Sequence, residues 1–145
     1  TTVVAATIAG ATLYAANVGD SRLSVIRENI LQITKDHSLV EEMIRVGEIQ
    51  REDARFHPDK NIITRAVGAD PSVMIDFFEE DLLEGDIIIM CSDGLSNMVG
   101  DNDIFDIVKK HKNVEDMVDE LVKTANNNGG KDNIGIIAVR FEGVA

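Results

Sequence analysis

The 145-residue sequence contains no tryptophan, one tyrosine and five phenylalanines. With aromatics at 4%, any core must be built from aliphatic side chains. Cys91 is the only cysteine, which excludes an intrachain disulfide and leads us to expect a reducing, cytoplasmic setting. It lies in an apolar run, where a thiol packs as a small hydrophobe. Positive charge is scarce: 14 basic residues face 26 acidic ones, for a net charge of −12. That balance excludes nucleic acid or an anionic membrane surface as the main partner. Long apolar runs are also missing, so no membrane span and no secretory leader are expected. What remains is a chain with 44% hydrophobic residues, enough for one globular domain with a real core.

The chain is strand-like from its first residues and has no initiator methionine, so we expect it to begin partway through a longer protein. Val3 to Ile8 and Thr12 to Val18 are β-rich runs divided by Ala9-Gly10, a hairpin pattern. Leu23 to Ile26 and Ile30 to Ile33 flank a turn at Glu28-Asn29, and the first third reads as one antiparallel meander. From Ser38 the period changes to that of a short amphipathic helix, with Ser38 as its N-cap and Gly47 at its end. The stretch "IQREDARFHPDKN" is polar and without periodicity. Strands are expected at Val73 to Phe78, Ile87 to Met90 and Ile134 to Phe141. Helical spacing covers Asn102 to Lys110 and Val114 to Asn126. Sheet segments and helices in this order indicate an α+β fold with antiparallel sheet.

Three pieces share one form, an apolar strand running into a turn that holds an aspartate. They are "ANVGDSR" with Asp20, "IIIMCSDG" with Asp93 and "GGKDNIGIIAV" with Asp132. Taken singly, each is explained as a turn. As a set, three carboxylates at strand ends could meet at one sheet edge. They would repel one another and raise one another's pKa unless a cation lay between them. Oxygen-only ligands select hard ions such as magnesium or manganese.

Five segments, "ANVGDSR", "ITKDHSLV", "HPDKNIITRAVG", "MCSDGLSN" and "GGKDNIGIIAV", occur in this order along nearly the whole chain. In them the sequence resembles the metal-dependent serine/threonine protein phosphatases of type 2C, in their bacterial branch. The resemblance implies an antiparallel β-sandwich flanked by helices, in four αββα layers. It implies hydrolysis of phosphoserine and phosphothreonine in proteins by a metal-bridged hydroxide, with manganese or magnesium ions as cofactors, two catalytic and a third, weaker one. Asp93 and Asp132 match the ligands of the catalytic pair. Asp20 matches an aspartate that holds the third ion together with Asp93. Residues 38–60 match the flap, a mobile lid beside the active site. The partners implied are phosphorylated proteins, targets of a cognate Ser/Thr kinase.

The family's remaining ligands, a phosphate-binding arginine and a general-acid histidine lie upstream of these motifs and are not found in this sequence. Residues 1–145 are therefore expected to be the C-terminal part of a single catalytic domain, incomplete at the N-terminus. A non-catalytic phosphatase-like module, degenerate or regulatory, is the alternative. His37, His57 and His111 are not promoted to the missing role: His37 is expected to support a turn, His57 to sit in the flap and His111 at a helix end. Arg22 is expected to pair with a nearby acid. Arg65 either orients the flap or forms a plain ion pair.

Overall fold

Alternation in "TLYAANV" puts Leu13, Ala15 and Asn17 on one side of β2 (Thr12–Val18), all buried, while Tyr14 faces out. β1 (Val3–Ala9) pairs antiparallel with β2 through a tight turn at Gly10, whose φ of 60° only glycine adopts readily. β5 (Asp76–Asp81) lies along the other edge of β2 and completes a three-stranded sheet in the order β1-β2-β5. The second sheet is four-stranded and antiparallel, in the order β4-β3-β6-β7. Its strands are β3 (Arg22–Ile26), β4 (Ile30–Gln32), β6 (Ile87–Cys91) and β7 (Ile136–Arg140). The computed structural model describes residues 1–144.

The first third is thus not one meander. The chain bends at Gly19-Asp20 and crosses from the first sheet to the second, so β2 and β3 are consecutive but unpaired. Gly19 permits the bend: its φ is +116°, and a Cβ there would lie 2.3 Å from Thr2 Cγ2. The expected strand from Val73 also begins later, at Asp76. Pairing with β2 runs only from Asn17↔Asp76 to Thr12↔Asp81, and Met74 and Ile75 remain exposed.

Two apolar layers follow from the alternation along β3 and β6. Leu23, Val25 and Ile88 point toward Leu13 and Ala15 of the first sheet, closing the interior of the sandwich. Ile26, Ile87, Ile89 and Cys91 point the other way, onto two helices, α4 (Asp101–Lys110) and α5 (Val114–Asn127). Those helices supply Ile104, Ile107, Val108, Met117, Leu121 and Ala125, on the stripes their sequences set out. Among the described residues the layers are helices, four-stranded sheet and three-stranded sheet, the expected α+β class. The outer face of the three-stranded sheet carries Phe77, 76% exposed. α1 (Leu39–Arg45) starts at Ser38, whose hydroxyl accepts the Glu41 amide at 3.3 Å, and stops at Gly47, as its sequence suggests. Two one-turn helices were not foreseen, α2 (Arg51–Ala54) and α3 (Asp93–Ser96).

An ion pair between a buried acid and a partly exposed arginine ties the second sheet to the turn before β6. Asp86, 1% exposed, accepts Arg27 Nε at 2.8 Å, Arg27 Nη2 at 2.7 Å and the Leu83 amide at 2.8 Å. The Arg27 bonds hold its carboxyl below the usual carboxylate range. Asp86→Ala would remove the acceptor of the Leu83 amide and the partner of the partly exposed Arg27, and should cost about 1–2 kcal/mol in urea denaturation near pH 7. The sign with pH follows from the depressed value. The contribution is fully present above the unfolded carboxyl pKa of about 3.9, and is lost as pH falls through the lower folded value. The deficit of Asp86→Ala should therefore shrink on acidification, and a deficit that grew would contradict this.

Candidate metal centre

Asp20 stands in the bend that leaves β2, Asp93 at the first position of α3 just past β6, and Asp132 in the loop between α5 and β7. β6 and β7 are paired neighbours, Cys91 opposite Ile136, so the ends that carry Asp93 and Asp132 lie side by side. Asp20 arrives from the other sheet. Burial, and after it the charge of Asp132, pushes the Asp93 carboxyl above its ordinary range. Burial, and after it the charge of Asp93, does the same to Asp20. Asp20 thus feels the charge of Asp93, and Asp93 that of Asp132. Among the described residues no three acidic, histidine or cysteine side chains stand close enough to hold one ion.

The residues around Asp93 explain how the loop bearing Asp132 is held. The Ser92 hydroxyl donates to the Asn133 carbonyl at 3.2 Å and accepts the Gly135 amide at 2.9 Å. The Ser92 amide donates to the Gly135 carbonyl at 3.0 Å. Gly94 completes the contact: a Cβ there would lie 2.1 Å from the Asn133 carbonyl oxygen. In "SDG" the serine and the glycine therefore seat the loop against the carboxylate between them. The quoted motif contained both residues, but this role needs the fold, because Asn133 is about forty positions away. Asp132 Oδ1 also accepts the next amide, Asn133, at 2.7 Å.

Asp20 and Asp93 line a cleft of about 550 Å³, bounded across from them by α1 and α2. Asp132 is exposed and lines a separate shallow depression with Lys131 and Asn133. The cleft also holds Arg22, paired with Asp36 through Nε and Nη2, the latter at 2.7 Å, as its sequence context suggested. Lys60 was not singled out in the sequence. Burial, then the charges of Lys131 and Arg55, holds its ammonium below the usual range, while Asp93 opposes that shift. A basic group is thereby set within the field of Asp93, suited to an anionic group that approaches it. Arg55, on the residue after α2, reaches the main body: its Nη2 donates to the Met98 carbonyl at 2.7 Å.

The remaining candidates fall where their chemistry suggests. Cys91 is buried and its thiol is pushed up to about 11, so it is not a nucleophile at neutral pH. His57 Nδ1 accepts the Asp59 amide, and His111 Nε2 pairs with Glu120 at the surface. His37 is buried and supports the Gly19 turn, while Arg65 pairs with Asp76 at 2.7 Å.

The protein phosphatase 2C family model matches residues 52–134. The serine/threonine phosphatase Stp of Listeria welshimeri is 44% identical over 140 residues, 96% of this chain and 56% of that protein. This chain therefore spans a little over half the length of that relative. The crystal structure of the serine/threonine phosphatase Stp1 from Staphylococcus aureus superposes with a TM-score of 0.95 at 40% identity, covering 98% of this chain and 56% of that one. The catalytic domain of the serine/threonine protein phosphatase PstP, solved in complex with two manganese ions, superposes with a TM-score of 0.80 at 30% identity. It covers 94% of this chain and 56% of that one.

Proposed function

This chain belongs to the protein phosphatase 2C family, and from that premise we propose that in the whole protein it serves manganese- or magnesium-dependent hydrolysis of phosphoserine and phosphothreonine in proteins. The observation that carries the reading is the placement of Asp93 and Asp132 at the paired ends of β6 and β7, with Asp20 and Asp93 on one cleft; burial and a neighbouring carboxylate disfavour the charged forms of Asp20 and Asp93. A hard divalent cation is what such oxygen donors suit, and a relative of the same fold holds two manganese ions. In this reading Asp93 and Asp132 hold the catalytic pair, and Asp20 with Asp93 holds a third, weaker ion. Bound there, the ions supply Lewis acidity that lowers the pKa of water and neutralises charge on the phosphoryl oxygens.

The chain's own residues do the rest. Ser92 and Gly94 fix the spacing of Asp93 and Asp132 through the Asn133 backbone. Lys60, within the field of Asp93, offers a positive charge to the incoming phosphoryl group. Residues 38–60 act as the flap over the cleft, and residues 1–145 form part of one catalytic domain. The substrates are phosphoproteins made by a cognate Ser/Thr kinase in the cytoplasm. Neither nucleic acid nor membrane is a partner, in keeping with the charge of −12. Among the described residues no helix is long and apolar enough to cross a membrane.

Hydrolysis of p-nitrophenyl phosphate and of a phosphothreonine peptide by the whole protein tests this. Activity with manganese, lost in chelator and restored by excess manganese, is expected. Turnover that survives chelation would sink the metal mechanism. No turnover at any manganese concentration would favour a non-catalytic module.

A further inference from the structure

The excursion that carries α1 and α2 leaves the body at His37 and returns at Thr64. Its ends are bridged: Ser38 pairs with Ile63, the Leu39 amide donates to the Ile62 carbonyl at 2.9 Å, and the Thr64 amide donates to the His37 carbonyl at 2.8 Å. His37 therefore belongs to the stem itself. Its side chain, 7% exposed, points away from the excursion and into the body.

There it grips the residue before Asp20. The Gly19 amide donates to His37 Nδ1 at 2.9 Å, and the His37 amide donates back to the Gly19 carbonyl at 2.9 Å. Asn17 adds a second tie between the same two loops, its Nδ2 donating to the carbonyls of Gly19 at 3.2 Å and Lys35 at 3.0 Å. Because Nδ1 accepts, the ring hydrogen lies on Nε2 and is given to Asp76 Oδ2 at 2.9 Å. Arg65 Nη1, just past the stem, lies 3.0 Å from the same Nε2 and donates to the other oxygen of Asp76 at 2.7 Å and to the Met74 carbonyl at 3.2 Å. Both ring nitrogens are thus engaged with the protein, and His37 is not among the residues that line the cleft. It forms a rigid lever, with the stem at one end, the Asp20 turn at another and β5 at the third.

We propose that His37 is a positioning residue that couples the stem of the 37–64 excursion to Asp20. Displacement of the stem moves the ring, and the ring moves the Gly19 peptide, whose next residue is Asp20. The His37 ring adds to the main-chain bond between His37 and Gly19 a tie that also reaches β5, through Asp76. The proposal rests on the reading of Asp20 as a metal ligand. It adds that occupancy at Asp20 and the placement of the excursion are linked through one buried imidazole.

The test uses the whole protein, with two readouts. The first is the manganese concentration for half-maximal hydrolysis of p-nitrophenyl phosphate, separated from kcat at saturating manganese. The second, independent of turnover, is hydrogen exchange at the Gly19 amide. His37→Leu removes the acceptor and keeps the bulk. It should raise half-saturating manganese tenfold or more, the usual effect of losing a group that orients a ligand, with a smaller fall in kcat, and should speed Gly19 exchange. His37→Asn, which can place an oxygen near the position of Nδ1, should recover most of both. Should His37→Leu not fold, Asp76→Ala releases the outer nitrogen, together with Arg65, and leaves the Nδ1 bond to Gly19 in place; it should raise half-saturating manganese about threefold. Unchanged manganese dependence and unchanged Gly19 exchange in a folded variant would overturn the coupling. If Asp93→Asn retained full manganese-dependent activity while Gly19 exchange still followed His37, the metal-site reading would fail and the clasp would stand.

Discussion

Asp93→Asn in the whole protein should abolish manganese-dependent phosphatase activity while making the metal-free protein more heat-stable. The two effects share a cause. The charge of Asp93 is disfavoured first by burial and then by Asp132. In the fold without a cation an amide relieves that repulsion, so melting in chelator should occur at a higher temperature than for the parent. With manganese the order should reverse, because the parent gains stability from a bound ion and the variant does not. For turnover, the loss of electrostatic stabilisation worth about 4 kcal/mol corresponds to roughly a thousandfold in rate, at about 1.36 kcal/mol per tenfold. A control at Asp116, an acid on α5 outside the cleft, should change neither quantity. Equal activity of Asp93→Asn and the parent at saturating manganese would remove Asp93 from the reaction. A variant that melts lower in chelator would contradict the repulsion.

Gly94→Ala should be nearly as damaging, although it removes no functional group. The added methyl would sit 2.1 Å from the Asn133 carbonyl oxygen and 2.9 Å from its carbon. These are backbone atoms, which cannot swing aside as a side chain could. Either the loop carrying Asp132 or the first turn of α3 carrying Asp93 must move, and both outcomes change the spacing of the two carboxylates. A misplacement of about 1 Å at a reacting centre costs on the order of a hundredfold in rate, and overpacking at a tight contact costs about 1–3 kcal/mol. Gly135→Ala is the matched control in the same loop, since a Cβ there meets only Ser92 Oγ at 3.9 Å. Kinetics of the two variants side by side, each with its unfolding curve, would decide the matter. Parent-like activity of Gly94→Ala would show that the loop yields without cost.

Much of this was legible along the chain, for reasons that can be named. The hairpin at Gly10, the Ser38 cap, the apolar stripes of α4 and α5 and the burial of Cys91 each follow from a few neighbouring residues. What could not be read depends on partners far away in sequence. The division of the first four strands between two sheets turns on a bend at Gly19 that looks like any other glycine turn. The apolar run Val73–Ile75 resembles a strand, but β2 offers no pairing beyond Asn17. For the candidate centre, the three aspartates were visible as strand-end acids. The pairing of β6 with β7 that sets Asp93 and Asp132 on neighbouring strand ends was not. Nor was the buried position of His37, whose ring partners come from residues 19 and 76.

The crossing between sheets also divides the carboxylates mechanically. Asp93 and Asp132 ride on β6 and β7, which are joined by a continuous ladder from Ile87↔Arg140 to Cys91↔Ile136. Asp20 belongs to neither ladder: it lies in the loop between β2 and β3, two residues before Arg22, which pairs with Cys91 of β6. The pair Asp93 and Asp132 is therefore spaced across one ladder, while Asp20 is placed by a sheet-changing loop that the ties from Asn17 and His37 hold.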